Sequence, residues 1–274
     1  MLNTVPRHLK QKLKKLVLII VSLYVMISAS LYFIQERLLF LPTVLEKDYK
    51  FSFNYNFEEI NLEATDGAKL NALHFKVENP KGVILYFHGN SGDLSRWGTV
   101  AEFFVEKQYN VLIMDYRTYG KSKGKLNQDV FYEDAEMFYS YLKSQYKESQ
   151  IAVYGRSLGT GIATYVASRN NPSKLVLETP YYSIEDVAQS RFPMFPVRLF
   201  LKYKFPTYQF IGSVTCPITM FHGTEDIIIP YRSAQKFYEE APKDFTEFVK
   251  IESGNHNNLS NFSLYQHHIK ILFP

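Results

Sequence analysis

A serine between two glycines is the first candidate for chemistry in this sequence. In the segment VYGRSLGTG, residues 153–161, Ser157 has Gly155 two positions before it and Gly159 two positions after it. Glycines at this spacing leave room for a sharp turn that holds a serine hydroxyl clear of the backbone. A five-residue pattern of this kind also occurs by chance. The spacing therefore predicts a nucleophile only if a base and an acid accompany the serine.

Two later segments supply an acid and a base. Asp226 follows an apolar run in HGTEDIIIP, and His256 lies in the glycine- and asparagine-rich segment ESGNHNNL. A carboxylate that orients an imidazole, which in turn takes the proton of a serine, makes that serine nucleophilic. The order Ser157, Asp226, His256 along the chain therefore predicts a nucleophile, an acid and a base.

Other residues compete for these roles. Glu225 is an alternative acid, because either carboxylate can orient an imidazole. His267 and His268 are alternative bases, although their segment has the pattern of a terminal helix with surface histidines. His88 and His222 each precede a glycine at the end of an apolar run, where we predict that they shape turns.

Backbone N–H groups must stabilise the negative charge that develops on an attacked carbonyl oxygen. Leu158 follows the serine at the start of a predicted helix, so its N–H has no helical acceptor. The loop YFHGNSGD, residues 86–93, offers a second donor, because Gly89 lets the backbone turn the N–H of Asn90 toward the site. The chain has no phosphate- or dinucleotide-binding glycine motif, and we predict no cofactor and no metal site.

Apolar runs and amphipathic segments alternate around these residues. Short continuous apolar runs predict strands covered on both faces, at residues 82–87, 109–116, 150–155, 174–179, 217–223 and 245–251. Helical spacing lies between them, at residues 96–108, 128–146, 161–170 and 231–241. Two alternating runs around Asp66-Gly67 predict an N-terminal β-hairpin. The fold class is therefore α/β, with a mostly parallel central sheet flanked by helices.

An uncharged segment precedes this domain. Residues 16–34 are long enough, as a helix, to cross a hydrocarbon core of roughly 30 Å. The basic residues of the chain before it, which contains no acid, are Arg7, Lys10, Lys12, Lys14 and Lys15. Because only Glu36 and Arg37 follow closely, the positive-inside rule predicts a single-pass anchor with a cytoplasmic N-terminus and an extracytoplasmic domain. A signal peptide cleaved after Ser30 and a buried core helix are the alternatives.

The chain is divided accordingly into a basic tail (1–15), a transmembrane anchor (16–34), a linker (35–56) and one catalytic domain (57–274). The net charge of +4 comes from the tail, and the rest of the chain is nearly neutral, so no nucleic-acid partner is expected. The single cysteine, Cys216, excludes an intrachain disulfide, and its apolar surroundings predict a buried thiol. We predict no obligate protein partner.

Several segments resemble those of a known family. They are QERLLFLP, YFHGNSGD, MDYRTYGKSKGK, VYGRSLGTG, LETPYYS, FHGTEDIIIP and SGNHNNL, in this order over residues 35–260. They are similar to blocks of the α/β-hydrolase superfamily and, within it, of the membrane-anchored Bem46-like serine hydrolases. The resemblance implies the α/β-hydrolase fold, Ser157 as nucleophile, Asp226 as acid, His256 as base, and oxyanion donors at Asn90 and Leu158.

Residues 180–216 are the whole connection between the predicted strands at 174–179 and 217–223. Larger relatives carry a lid at this position, so we expect an open site without a large lid. Within this insert, residues 191–210 are rich in aromatic and cationic side chains. Such a segment can line an acyl pocket, lie on lipid headgroups, or simply pack as a helix with its loops.

The candidate catalytic residues do not by themselves select one class of substrate. A serine hydrolase acting on acyl esters, thioesters or lipid-like substrates suits an anchored chain with an aromatic insert. A serine aminopeptidase-like peptidase is the alternative, with Glu178, Glu185 or Asp186 available to bind a free amine. A non-catalytic membrane-anchored binding protein is the alternative of another class.

Overall fold

An eight-stranded sheet is the centre of the structure, a computed structural model that describes residues 6–274. Residues 1–5 of the predicted basic tail lie outside this range. The strands are β1 (Leu41–Pro42), β2 (Phe57–Glu63), β3 (Lys69–Phe75), β4 (Val83–Phe87), β5 (Ser91–Gly92), β6 (Asn110–Met114), β7 (Ile151–Arg156), β8 (Lys174–Glu178), β9 (Ile218–Gly223) and β10 (Thr246–Ile251). The short strands β1 and β5 pair with each other, and the other eight form the large sheet. The helices are α1 (Arg7–Leu39), α2 (Leu94–Val105), α3 (Gln128–Lys143), α4 (Leu158–Arg169), α5 (Ile184–Arg191), α6 (Val197–Phe200), α7 (Tyr208–Ile211), α8 (Tyr231–Glu240) and α9 (Ser263–Leu272).

The strands of the large sheet lie in the order β10-β9-β8-β7-β4-β6-β3-β2. Every neighbouring pair from β10 to β6 is parallel, and β3 is antiparallel to both β6 and β2. The predicted mostly parallel sheet and the N-terminal hairpin, formed by β2 and β3, are confirmed. The predicted strands all appear, each within about two residues of the predicted bounds.

Both faces of the sheet are covered by helices. In β4, Val83, Leu85 and Phe87 contribute to the hydrophobic core on the side of α3, α4 and α8, whereas Ile84 and Tyr86 contribute to the core on the side of α2 and α9. This explains the continuous apolar runs in the sequence, because successive side chains point to opposite faces and each face is buried.

Helix α1 lies outside both cores except at its end, where the partly buried Leu39 packs against one of them. In Arg7–Leu39, only Ser28 and Gln35 are buried, so α1 is not a core helix. It is long and apolar enough to cross a membrane, with a length of about 50 Å. The helix continues past residue 34, and residues 35–39 contact the insert and the loop after β4.

The insert between β8 and β9 contains the short helices α5, α6 and α7, and no large lid is present. It packs against α1 rather than standing alone. The ring of Phe195 stacks on Tyr24 with centroids 5.4 Å apart, and the side chain of Gln35 donates to Phe200 O at 3.1 Å. The aromatic segment 191–210 therefore forms part of an interface with the N-terminal helix.

Candidate active site

Ser157 lies in the sharp turn between β7 and α4. Its φ of 52° and ψ of −120° fall in a region that residues with a Cβ rarely adopt. Its N–H donates to Glu178 O at 2.9 Å, and its own carbonyl accepts from Thr160 N at the same distance. These bonds fix the strained turn, so that the hydroxyl stands at the carboxyl edge of the sheet.

The glycines of the motif have different packing roles in this turn. A Cβ on Gly159 would collide with the carbonyl oxygens of Phe87 and His88, which end β4. A Cβ on Gly155 would lie 2.7 Å from the Cβ of Ala163 in α4. Both glycines are therefore required for the close approach of α4 to the sheet, as the spacing predicted.

The structure brings Ser157, Asp226 and His256 together from three separate loops. His256 Nε2 lies 3.0 Å from Ser157 Oγ, and His256 Nδ1 lies 2.8 Å from Asp226 Oδ2. The three side chains form one hydrogen-bonded line, although about 100 residues separate the histidine from the serine. This geometry allows the imidazole to take a proton from the serine while the carboxylate holds its opposite nitrogen.

Asp226 is held by its own loop. Its Oδ1 accepts from the N–H groups of Ile228 and Ile229, both at 2.8 Å. Burial would raise the pKa of this carboxyl, but the hydrogen bond and charge interaction with His256, the nearby His222 and the Ile229 N–H together lower the pKa below its ordinary value. Asp226 is therefore ionised at neutral pH.

The loop after β4 borders the serine. A Cβ on Gly89 would lie 3.6 Å from Ser157 Cβ, which brings the following residue, Asn90, beside the site. Among residues 6–274, no acceptor is found for the backbone N–H of Asn90 or of Leu158. The carbonyl of Asn90 is fixed by Leu41 N at 2.9 Å and by the Tyr119 hydroxyl at 2.8 Å. Two free donors thus lie next to Ser157.

The competing residues lie elsewhere. Glu225 is exposed, and it is Asp226 that contacts His256. His268 lies on α9, 3.5 Å from Glu247, and His267 is exposed on the same helix. Neither histidine reaches the serine.

The two histidines expected to shape turns are both fully buried. His222 Nε2 lies 3.0 Å from Ile229 O and so helps to hold the loop of Asp226. His88 stacks on Trp97 with ring centroids 5.5 Å apart, and its Nε2 lies 3.4 Å from Asp115. Both support loops of the site.

One buried network at the site was missed by reasoning from the sequence. Arg156, which precedes the serine, pairs with Glu178 at 3.2 Å, because β7 and β8 set these two residues directly opposite each other. Glu178 also accepts from the hydroxyls of Tyr154 at 2.6 Å and Tyr265 at 3.1 Å. Opposite charges at the ends of consecutive predicted strands were the available signal. The network stiffens the turn that carries Ser157.

The remaining carboxylates considered for amine binding are also engaged. Asp186 accepts from Ser233 at 2.7 Å and pairs with Lys236. Glu185 lies 3.7 Å from the ammonium of Lys204. With Glu178 bound in the network of Arg156, each of the three candidate carboxylates already has a partner.

No group of three or more His, Cys, Asp or Glu side chains in the described residues is arranged to hold a metal ion. Cys216 is buried as expected, and burial raises the pKa of its thiol to about 11. The thiol is therefore protonated and unreactive at neutral pH.

Known structures share this fold. An esterase from Pyrococcus furiosus superimposes with a TM-score of 0.67 at 19% identity, covering 86% of this chain and 98% of that one. Acetyl xylan esterase 1 from Thermoanaerobacterium gives a TM-score of 0.63 at 17% identity, over 83% of this chain and 85% of that one. The profile of the family described as "Serine aminopeptidase, S33" matches residues 78–212. The chain has the α/β-hydrolase fold.

Sequence relatives agree with this assignment. The chain is 28% identical to an uncharacterized protein of Mycobacterium tuberculosis, over 82% of this chain and 81% of that protein. It is also 28% identical to the α/β-hydrolase domain-containing protein WAV2 of Arabidopsis thaliana, over 81% of each chain. A lysophosphatidylserine lipase of Danio rerio is 27% identical over 61% of this chain, but only 48% of the lipase is covered. These similarities support a hydrolase of the esterase and lipase kind.

Proposed function

We propose that the protein is a membrane-anchored serine hydrolase that cleaves acyl esters or thioesters through an acyl-enzyme intermediate. The observation that carries this proposal is the hydrogen-bonded line from Asp226 through His256 to Ser157, with separations of 2.8 and 3.0 Å. In this proposal Ser157 is the nucleophile, His256 the base and Asp226 the acid. The N–H groups of Asn90 and Leu158 stabilise the oxyanion.

In the first half of the reaction, Ser157 Oγ attacks the carbonyl carbon of the substrate while its proton passes to His256 Nε2. The carbonyl electron pair moves onto oxygen, where the two backbone N–H groups stabilise the negative charge. Asp226, ionised at neutral pH, stabilises the imidazolium. When the tetrahedral intermediate collapses, the alcohol or thiol leaves with the proton from His256, and the acyl group stays on Ser157.

In the second half, water takes the place of the leaving group. His256 Nε2 accepts a proton from the water as its oxygen attacks the acyl carbon, and the same two N–H groups stabilise the second tetrahedral intermediate. Collapse breaks the bond to Ser157 Oγ, which regains the proton from His256. A carboxylic acid is released, and the starting state is restored.

Acyl esters and thioesters are favoured over peptides by the surroundings of the site. The carboxylates that could bind a free amine, Glu178, Glu185 and Asp186, are occupied by Arg156, Lys204 and Lys236 respectively. The named activities among the relatives include that of an esterase and that of a lipase. Both activities belong to those proteins, and they support acyl substrates for this one.

A non-catalytic binding protein is the alternative of another class. Its three polar side chains would have no need to lie in line at hydrogen-bond distance, nor would Ser157 need a strained backbone. The alignment of these groups therefore favours catalysis.

Replacing the nucleophile tests this proposal. We expect Ser157→Ala to lower the hydrolysis of p-nitrophenyl acetate by a factor of roughly 10⁴ or more, because the attacking oxygen is lost. The variant should keep the melting temperature of the wild type, since one small hydroxyl is removed. Labelling by a fluorophosphonate probe should occur in the wild type and disappear in the variant. An unlabelled, folded wild type would favour the binding protein.

We also propose that α1 is a retained anchor with its N-terminus in the cytoplasm, followed by an extracytoplasmic catalytic domain over residues 57–274. The basic residues before residue 16 and the near balance of charge after residue 34 support this orientation. Retention is supported by the contact of Tyr24 with the insert, since cleavage after Ser30 would remove Tyr24.

A further inference from the structure

An apolar groove lies between α1 and the insert. Its volume is about 130 Å³, and its walls come from one face of α1 and from α5, α6 and the residues around them. The residues of α1 that line it are Ser28, Leu31, Tyr32, Gln35, Leu38 and Leu39. Their spacing of three and four defines one stripe of a helix, so α1 presents this stripe to the groove over its last three turns.

The other wall is formed by apolar side chains alone. It is made by Ala188, Phe192, Phe195, Val197, Phe200 and Leu201. No charged side chain lines either wall. Apart from the polar groups of Ser28, Tyr32 and Gln35, the lining is apolar, and a groove of this kind suits a hydrocarbon chain.

Polar contacts along the rim hold the two walls together. The Tyr24 hydroxyl donates to Met194 O at 3.0 Å, and Gln35 receives the N–H of Lys202 at 2.7 Å. The Tyr203 hydroxyl donates to Glu36 at 2.9 Å. Because these bonds are distributed from residue 24 to residue 36 of α1, the helix is fixed against the insert and the groove is a defined feature of the fold.

The inner end of the groove is bonded to loops of the candidate active site. Leu39 lines the groove, and its carbonyl accepts from Asn90 Nδ2 at 3.0 Å, directly beside the proposed oxyanion donor. On the opposite side, Arg191 at the end of α5 donates to Ile227 O and to Ile228 O, which follow Asp226. The walls of the groove are therefore attached to the two loops that border Ser157.

The outer end lies in the uncharged segment of the chain. Ser28 and Leu31 belong both to the groove and to residues 16–34, and Ser28 lies about 17 Å from Leu39 along the helix axis. Large apolar side chains are exposed beside the groove, with Met194 at 84% and Leu199 at 77% exposure. This end is suited to hydrocarbon, whereas the inner end is attached to the loops that border Ser157.

We propose that this groove is the acyl-chain subsite, and that α1 serves as one wall of the active site as well as an anchor. The inference rests on the proposed function. Its occupant is a single acyl chain of a lipid or lipid-modified substrate in the same membrane, which slides along α1 until its carbonyl reaches Ser157. Because the chain leaves one hydrocarbon environment for another, the groove orients the carbonyl rather than adding affinity through the hydrophobic effect.

Filling the groove tests the proposal with a matched pair of substitutions on α1. Ser28 is buried in the groove, whereas Ser30 is exposed, two residues further on and outside the groove. Ser28→Trp and Ser30→Trp add the same side chain to the same helix, but only the first occupies the groove. The full chain, in phosphatidylcholine nanodiscs, is assayed with p-nitrophenyl dodecanoate and p-nitrophenyl acetate, and kcat/KM is measured for both.

We expect Ser28→Trp to lower the ratio of kcat/KM for the dodecanoyl ester to that for the acetyl ester by about tenfold or more, because only the long chain needs the groove. Ser30→Trp should keep this ratio within about twofold of the wild type. Equal ratios in both variants would overturn the subsite.

A second substitution fills the groove from the insert. Ala188→Phe should lower the same ratio, so the test holds even if Ser28→Trp fails to fold. Fluorophosphonate labelling separates this inference from the proposed function. A wild type that is labelled and hydrolyses acetate, with ratios unchanged by both groove substitutions, would contradict the groove alone. A folded wild type that is neither labelled nor active would overturn both.

Discussion

Ser157 has a backbone conformation that costs of order 1–3 kcal/mol, with φ at 52°. The residue keeps it because β7 and α4 fix the chain on both sides, and because its N–H is bonded to Glu178 O. The strain exposes the hydroxyl at the end of the sheet, where His256 can reach it. At the scale of one residue, reactivity is thus a consequence of how its neighbours hold it.

The proposed acid can be tested against the carboxylate next to it. We expect Asp226→Asn to lower kcat for p-nitrophenyl acetate by roughly 10⁴-fold, because an amide neither stabilises the imidazolium nor holds its tautomer. Glu225→Gln is the matched control, since Glu225 is exposed and it is Asp226 that contacts His256. Steady-state kinetics on both variants decides between them, and an equal loss in Glu225→Gln would contradict the assignment.

The turn between β7 and α4 packs directly against the end of β4. The backbone of Gly159 lies so close to Phe87 and His88 that no side chain fits between them. Since His88 leads into the loop of Asn90, the position of α4 also sets that of a proposed oxyanion donor. The geometry of the candidate site therefore depends on the packing of two elements, and not only on the three polar side chains.

We expect Gly159→Ala to destabilise the fold by about 1–3 kcal/mol, because the added methyl pushes α4 away from β4. The displaced oxyanion donors should lower kcat by about 10²-fold. Gly212→Ala is the control, since the nearest atom to a Cβ there is Glu240 O at 3.9 Å. Thermal unfolding and esterase assays measure both effects. Full activity in Gly159→Ala would show that the close approach is not required.

The strands and helices were the most predictable part of the molecule. Continuous apolar runs such as residues 82–87 predict strands that are buried on both faces. The prediction was correct for this sheet because helices cover it on each side. The helical spacing in the sequence begins at residue 161, whereas helix α4 begins at Leu158. The glycines of the motif hid the first turn of α4 from the sequence pattern, since glycine is a poor helix former. Glycine is needed in this turn only because the turn packs against β4.

At the scale of the whole molecule, the main feature is the packing of α1 against the catalytic domain. The helix does not merely precede the domain, since its last three turns contact the insert and its end is bonded to the loop of Asn90. Attachment to a membrane would thereby be coupled to the site. A soluble version without α1 would lack one wall of the groove.

The orientation of α1 is tested by fusion proteins. We expect alkaline phosphatase fused to the C-terminus to be active in a bacterial host, because it matures only outside the cytoplasm, and a green fluorescent protein fusion to be dark. Replacing the basic residues of the tail by glutamine should lower the phosphatase activity, since they set the orientation. A bright fluorescent fusion with an inactive phosphatase would reverse the proposed topology.

The sequence alone determined the α/β class, the mostly parallel sheet and the identity of Ser157, Asp226 and His256 as candidates. These depend on local periodicity and on the order of motifs along the chain, which are readable in one dimension. Only the tertiary structure brought the histidine within 3.0 Å of the serine, paired Arg156 with Glu178, and packed the insert against α1. Strand register and contacts between distant segments decide these features, because they depend on which surfaces bury each other and no local pattern records that choice.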